Sequence, residues 1–331
     1  PSGKSCSPRT RRTAAGPACG VRQVILTAGG TAGRERLSTE EVSPRFAELD
    51  RWPAGDVAAA LIEGQLRAVA VVDAARPYLT AAAEAAAARL AHAKARLVYV
   101  GAGTSGRLAV QDGVELVPTY GWPPARLVYL LAGGDAALTR SVEGAEDDAP
   151  AARAAITEHG IGAGDVVVAV AASGRTPFAV AAVEAARAAG ALTIALANVV
   201  PSPLLDAAEA PIALATGAEV VAGSTRLAAG TAQKAALGTL STTIMVRLGR
   251  VHGNLMVDVA ARNTKLDARR VAMVRRITAV EAVAAETALI KADGHVKAAV
   301  LVALGDDAEV ARARLARHGG RLRAALAERE A

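Results

Sequence analysis

The chain has only two cysteines in 331 residues, Cys6 and Cys19, both within the first twenty positions. Everything after them is thiol-free, so neither disulfides nor cysteine-ligated metal sites hold the body together. Aromatic residues are nearly as scarce, at 2% of the chain: two Trp, four Tyr and two Phe. The core must therefore be built from Ala, Val and Leu, and platforms for stacking single-stranded bases are missing. No apolar run approaches the roughly 18 residues of a membrane span. The five histidines, at 92, 159, 252, 295 and 318, never pair at metal-ligand spacing, so a metal centre is not expected, and nothing else calls for a cofactor. No serine sits in a Gly-x-Ser-x-Gly elbow, which argues against serine hydrolase chemistry.

A charged folded face is absent too. The formal net charge of +6 comes from 38 basic and 32 acidic residues. Residues 1–36 carry Lys4, Arg9, Arg11, Arg12, Arg22, Arg34 and Arg36 against Glu35, which accounts for the whole excess and leaves 31 of each sign in 37–331. A nucleic-acid-binding module carries its charge on a folded surface. Here the basicity belongs to a Gly-, Ser-, Pro- and Arg-rich stretch with no apolar secretory-signal core and no room for a helix-turn-helix. Residues 1–36 are expected to be a disordered basic tail without a function of its own. The body is expected to be cytoplasmic and to bind neither nucleic acid nor membrane.

What is present is a globular composition, 52% hydrophobic against 21% charged, long enough for two domains or one α/β domain with helical additions. Ala-rich helical patterning runs from Ala54 to about Lys94, broken at Pro77. Five short apolar runs follow, at 96–100, 126–131, 165–170, 192–196 and 211–214, alternating with helical stretches. Continuous apolar strands of this kind predict a parallel sheet covered on both faces, with ligands at the carboxyl ends of the strands. Residues 220–249 read as one long helix, and a helix-rich tail begins near Lys265, the last fifty residues reading as a small helical subdomain.

The chemistry sits in the loops after the strands. Gly101-Ala-Gly-Thr-Ser-Gly106 matches a dinucleotide fingerprint formally, but an acidic residue about 20 positions on is missing, the second strand ending instead at Ala132-Gly-Gly-Asp135. The loop offers hydroxyls, Thr104 and Ser105, where a dinucleotide loop uses bare backbone. Ser173-Gly-Arg175-Thr176 repeats the construction after the third strand, and Ser224-Thr225-Arg226 follows Gly223. Taken singly, each is also an ordinary turn with Ser or Thr capping a helix. Three together suit a phosphate monoester, whose oxygens take hydroxyls and helix N-terminal N–H groups. Acid–base candidates are Glu115, in an apolar stretch where burial would raise its pKa, Glu146, clustered with Glu143, Asp147 and Asp148, and Glu219. On residue physics alone each also reads as a solvated or helix-capping carboxylate.

Taken together, these motifs resemble those of the N-acetylmuramic acid 6-phosphate etherases, members of the sugar isomerase (SIS) fold superfamily related to the glucokinase regulatory protein. The resemblance runs from about Leu37 to the C-terminus. It is carried by Gly101–Leu108, Glu115 with Pro118–Gly121, Ala132–Gly134, Val142–Asp147, Ala171–Pro177, Gly217–Val221, Gly223–Leu227 with Ala229–Lys234, and Gly253–Asp258. It implies a SIS-type doubly wound five-stranded parallel sheet with flanking helices over 37–265 and a helical subdomain over 266–331. It also implies a homodimeric, metal-free enzyme of peptidoglycan recycling that converts N-acetylmuramic acid 6-phosphate into N-acetylglucosamine 6-phosphate and D-lactate.

The family's two glutamates fall on Glu115, as acid/base at the leaving lactate, and Glu146, as a further catalytic carboxylate. Thr104, Ser105, Ser173, Arg175, Thr176, Ser224 and Thr225 are the implied sugar-phosphate contacts. The chain departs from the family at Val114-Glu-Leu-Val-Pro118, where one of two prolines is replaced, at Ala228, usually Lys, and at Ser43 and Phe46. Two rival readings stay open: an aldose–ketose isomerase of the same fold, which releases no lactate, and a non-catalytic sugar-phosphate sensor.

Overall fold

The computed structural model describes residues 38–259 and 264–330; the expected basic tail, with both cysteines, lies outside the described residues. Among these, five strands form one sheet: β1 (Leu97–Gly101), β2 (Leu127–Leu131), β3 (Val166–Ala171), β4 (Leu192–Ala197) and β5 (Ala210–Ala213), in the order β2-β1-β3-β4-β5. All four pairings are parallel, with Leu97 opposite both Leu127 and Val166.

Alternation along the strands explains the double cover. Leu97 and Tyr99, Val166, Val168 and Val170, and Leu192, Ile194 and Leu196 face one apolar cluster. Val98 and Val100, Val167, Ala169 and Ala171, and Ala195 and Ala197 face the other. Side chains at i and i+2 share a face, so a strand apolar at every position needs helices on both sides. The first face takes α1 (Ala54–Ala74), α2 (Arg76–Leu90), α3 (Gly103–Tyr120) and α7 (Ala228–Arg247). The second takes α4 (Ala149–Glu158), α5 (Pro177–Ala188) and α6 (Pro203–Ala207). The expected break at Pro77 is the boundary between α1 and α2, with Pro77 in the first turn of α2, where its missing N–H costs nothing.

A third apolar cluster joins Val257 and Val259 to α8 (Thr264–Thr278), α9 (Ala282–Lys291), α10 (Val296–Ala303), α11 (Ala308–Arg317) and α12 (Leu322–Glu330), with the strongly apolar α10 at its centre.

One expected helix is shorter than its pattern. The stretch 220–249 becomes helical only at Ala228. Gly223 takes φ +75°, which no continuing helix allows. The buried Glu219 carboxylate accepts the backbone N–H groups of Ala228 and Ala229, both at 2.9 Å, and so fixes where α7 begins.

Candidate active site

The site follows from the strand order. From β1 the chain crosses by α3 on one face to β2, then returns by α4 on the opposite face to β3, on the other side of β1. The loops leaving β1 and β3 therefore diverge, opening the crevice where doubly wound sheets bind ligands. Two glycines set the close approach of α3 to that edge. A Cβ on Gly101 would lie 2.8 Å from Gly106 Cα, and one on Gly106 would lie 2.8 Å from the Gly101 carbonyl carbon. Only glycine fits both positions. Thr104, half-buried in the first turn of α3, faces a pocket of about 330 Å³, while Ser105 is buried.

That pocket gathers residues from two loops. Thr104 and Arg107 come from α3, and Arg140, Glu143 and Glu146 from the segment after β2. Arg107 is engaged by the loop: its guanidinium donates to the carbonyls of Ala137 at 2.8 Å and Arg140 at 3.2 Å. The Arg140, Glu143 and Glu146 side chains are exposed and make no hydrogen bond or ion pair with other described residues.

The other hydroxyl clusters stand nearby. The β3 loop leaves the strand that pairs with β1; in it Ser173 Oγ accepts the Arg175 N–H at 3.1 Å, and Thr176 precedes α5. Gly174, at φ +61°, packs so tightly on Ser202 that a side chain would collide there. Ser224 and Thr225, half-buried, lie in the loop before α7, whose Gly230 N–H donates to the Thr225 carbonyl at 2.8 Å. A Cβ on Gly230 would sit 3.8 Å from the Thr104 methyl, so the start of α7 adjoins the first cluster.

Glu115 stands apart from the pocket and departs from expectation. It lies eleven residues beyond Thr104 on α3, roughly 16 Å along the axis at 1.5 Å per residue, and it does not line the pocket of its own chain. Nor is it buried. The inward stripe of α3 is Ser105, Gly106, Ala109, Asp112, Gly113 and Leu116, which leaves Glu115 on the exposed side with Val114, itself 51% exposed. The burial expected of Glu115 is therefore absent in the single chain.

Two other carboxylates are structural. Glu219, a sequence candidate, is held by the α7 cap. Asp112, which the sequence did not single out, accepts the Tyr99 hydroxyl at 2.7 Å and the Ser241 hydroxyl at 3.1 Å; burial pushes its pKa up despite both bonds. Its place at i+3 from Ala109 and i−4 from Leu116 was the available signal. Ala228 is a buried first residue of α7, and Ser43 and Phe46 line a surface pocket with the chain's own Glu219–Ala222. Among the described residues no cluster of three or more His, Cys, Asp or Glu is placed to hold a metal ion, and no helix is long and apolar enough to cross a membrane.

The fold and its crevice define a SIS-domain protein. Residues 150–242 match the SIS domain family and residues 80–187 the glucokinase regulatory protein N-terminal SIS domain. An N-acetylmuramic acid 6-phosphate etherase of Deinococcus radiodurans is 52% identical over 294 residues, covering 88% of this chain and 96% of that one. Those of Streptomyces coelicolor and Vibrio vulnificus are 50% and 43% identical, each over 88% of this chain and over 94% and 97% of their own. The chain belongs to the N-acetylmuramic acid 6-phosphate etherase family.

Proposed function

We propose that this chain cleaves the D-lactyl ether of N-acetylmuramic acid 6-phosphate, giving N-acetylglucosamine 6-phosphate and D-lactate. What carries the reading is identity of 52% over nearly the whole of an etherase chain. The chemistry needs one base and one acid. In the open-chain sugar the C2 proton is acidified by the C1 aldehyde, so a carboxylate removes it and the C3–O bond breaks, a proton going to the lactate oxygen. Water then adds across the C2–C3 double bond, hydroxyl to C3 and proton to C2, so substrate and water balance the two products.

In this reading Glu115 is the acid/base at the leaving lactate and Glu146 the further catalytic carboxylate, and Thr104, Ser105, Ser173, Arg175, Thr176, Ser224 and Thr225 surround the phosphate. Binding energy from the phosphate, remote from C2 and C3, holds the reacting atoms in place. Arg140, the unengaged cation beside Glu146, suits the lactyl carboxylate.

The separation of Glu115 from the Glu146 pocket supports a site shared by two copies of the chain, Glu115 of one serving the pocket of the other. Exposed Val114 beside Glu115, and the exposed stripe Ile62, Leu66 and Val69 on α1, are apolar surfaces that a second copy would cover.

The first test is D-lactate release from the phosphorylated substrate, with the unphosphorylated sugar as control. Release from the phosphorylated sugar alone is expected; binding of it without lactate release would overturn the reading in favour of a sensor. The shared site is tested by mixing inactive Glu115→Gln and Glu146→Gln chains after unfolding and refolding them together. A mixed dimer contains one intact shared site, so about a quarter of wild-type activity returns at random pairing. No return would put both glutamates in one chain's site.

A further inference from the structure

The described residues hold another cavity, larger than the Thr104 pocket, at about 570 Å³ against 330 Å³. It opens between Gly121, just past the C-terminal end of α3, the 257–259 segment and the helical cluster around α10. Four cationic side chains line it, Arg250, Arg270, Lys297 and Arg312, against two carboxylates, Asp258 and Asp293.

Pairing within the chain offsets most of that charge, three carboxylates against four cations once Asp267 is counted. Asp258 is shared, at 2.7 Å from Lys297 Nζ and 3.3 Å from Arg250. Asp293 takes Arg312 at 2.8 Å. Carbonyl groups complete the coordination without cancelling charge: Lys297 donates to Gly249 and Gly320, and Arg250 to Tyr120 and Gly121. Arg270 donates to the Gly294 carbonyl at 2.9 Å and also pairs with Asp267, which is not in the lining, yet its Nε is buried with no partner. That donor is left unsatisfied within its own chain, which costs desolvation.

Two further features have the same sign. α10 begins at Val296, its N-cap His295 makes no side-chain cap, and Val296, Lys297 and Ala298 all line the cavity. First-turn N–H groups have no partner within their own helix and favour an anion. Lys297 is nearly buried; burial pushes its ammonium below the usual lysine value while Asp258 pulls it back. An added negative charge relieves that burial cost.

We propose that this cavity is a second, non-catalytic binding site for a small phosphate monoester, whose oxygens accept from Arg270, Arg312 and the start of α10. Its volume falls within the roughly 300–1,000 Å³ of small-molecule pockets. It shares no lining residue with the Thr104 pocket, so it does not rest on the reaction proposed above.

The test is calorimetric titration of inorganic phosphate into the full chain at about 0.15 M salt, where exposed charge is screened within roughly 8 Å. Phosphate binding to this cavity is expected whether or not the Thr104 pocket also takes the ion. Arg312→Ala, at the exposed rim, and Arg270→Ala should each weaken it about tenfold or more, the loss of a charge-assisted contact. The KM for lactate release should stay unchanged. No phosphate binding by the wild type, or binding that neither substitution weakens, would overturn the proposal.

Discussion

Charged side chains behave differently in two regions of the molecule. Around the Thr104 pocket Arg140, Glu143 and Glu146 are exposed and engage no other described residue. In the scaffold each buried charge is held by several groups. Arg96 and Asp165 meet at 2.7 Å, and Asp165 also accepts the backbone N–H groups of Arg96 and Gly162 at 2.9 and 3.0 Å. Glu219 holds the start of α7, and Asp112 ties β1 and α3 to α7 through Tyr99 and Ser241. Removing a scaffold charge strands its partners, whereas removing a pocket charge strands nothing. The pocket charges have no structural work, which leaves them available to a ligand.

Glu146→Gln gives the sharpest separation. Lactate release should fall by about 10²- to 10⁴-fold, the usual contribution of a positioned acid or base. The thermal midpoint should stay within about 1 °C, as for a surface substitution. A lowered midpoint would mean that Glu146 has structural partners after all, and retained activity would remove it from the chemistry.

Asp165→Asn is the converse case. Breaking a buried pair costs about 3–5 kcal/mol, with this site at the lower end because the Arg96 side chain is still 24% exposed. Denaturant unfolding measures that loss, and kcat per folded molecule should not change. The pH dependence follows from the same carboxylate. Burial alone would raise its pKa, but the hydrogen bonds from Arg96 and the two backbone N–H groups outweigh it and hold the value below the usual 3.8. A folded pKa below the unfolded one contributes stability that is present above the unfolded value and lost as pH falls through the folded one. The wild type should therefore lose this contribution below about pH 4, and Asp165→Asn should lack that part of the acid limb. An unchanged acid limb would show that Asp165 is not the group responsible.

The same division explains how much the sequence disclosed. The five strands were legible within a residue or so because each is a continuous apolar run ended by a turn, a property of neighbouring residues alone. The start of α7 was not, because Val220 and Val221 extend the apolar pattern while the signal that ends it is a backbone angle at Gly223 and a carboxylate nine residues before Ala228. Glu115 was read as buried from its apolar neighbours, but Val114 and Leu116 point to opposite sides of α3 and only Leu116 is inside. The nearness of Thr104 to Gly230, 126 residues later, depends on strand order and helix packing, which no local motif encodes. Nor did any motif gather Arg250, Arg270, Lys297 and Arg312, spread over sixty residues, around one cavity.

The smallest effect tests the pocket from within. Arg107 and Arg140 both line it, but Arg107 is tied to the Ala137 and Arg140 carbonyls while the Arg140 side chain is unengaged. The substrate carries two anions, phosphate and lactyl carboxylate, and the sugar product keeps only the phosphate. If Arg140 meets the carboxylate, Arg140→Ala should raise KM for N-acetylmuramic acid 6-phosphate about tenfold, one charge-assisted contact. Inhibition by N-acetylglucosamine 6-phosphate should be unaltered, and so should stability. A parallel weakening of both would assign Arg140 to the phosphate instead. A fall in stability would move it to the scaffold population and erase the distinction between the two regions at this residue.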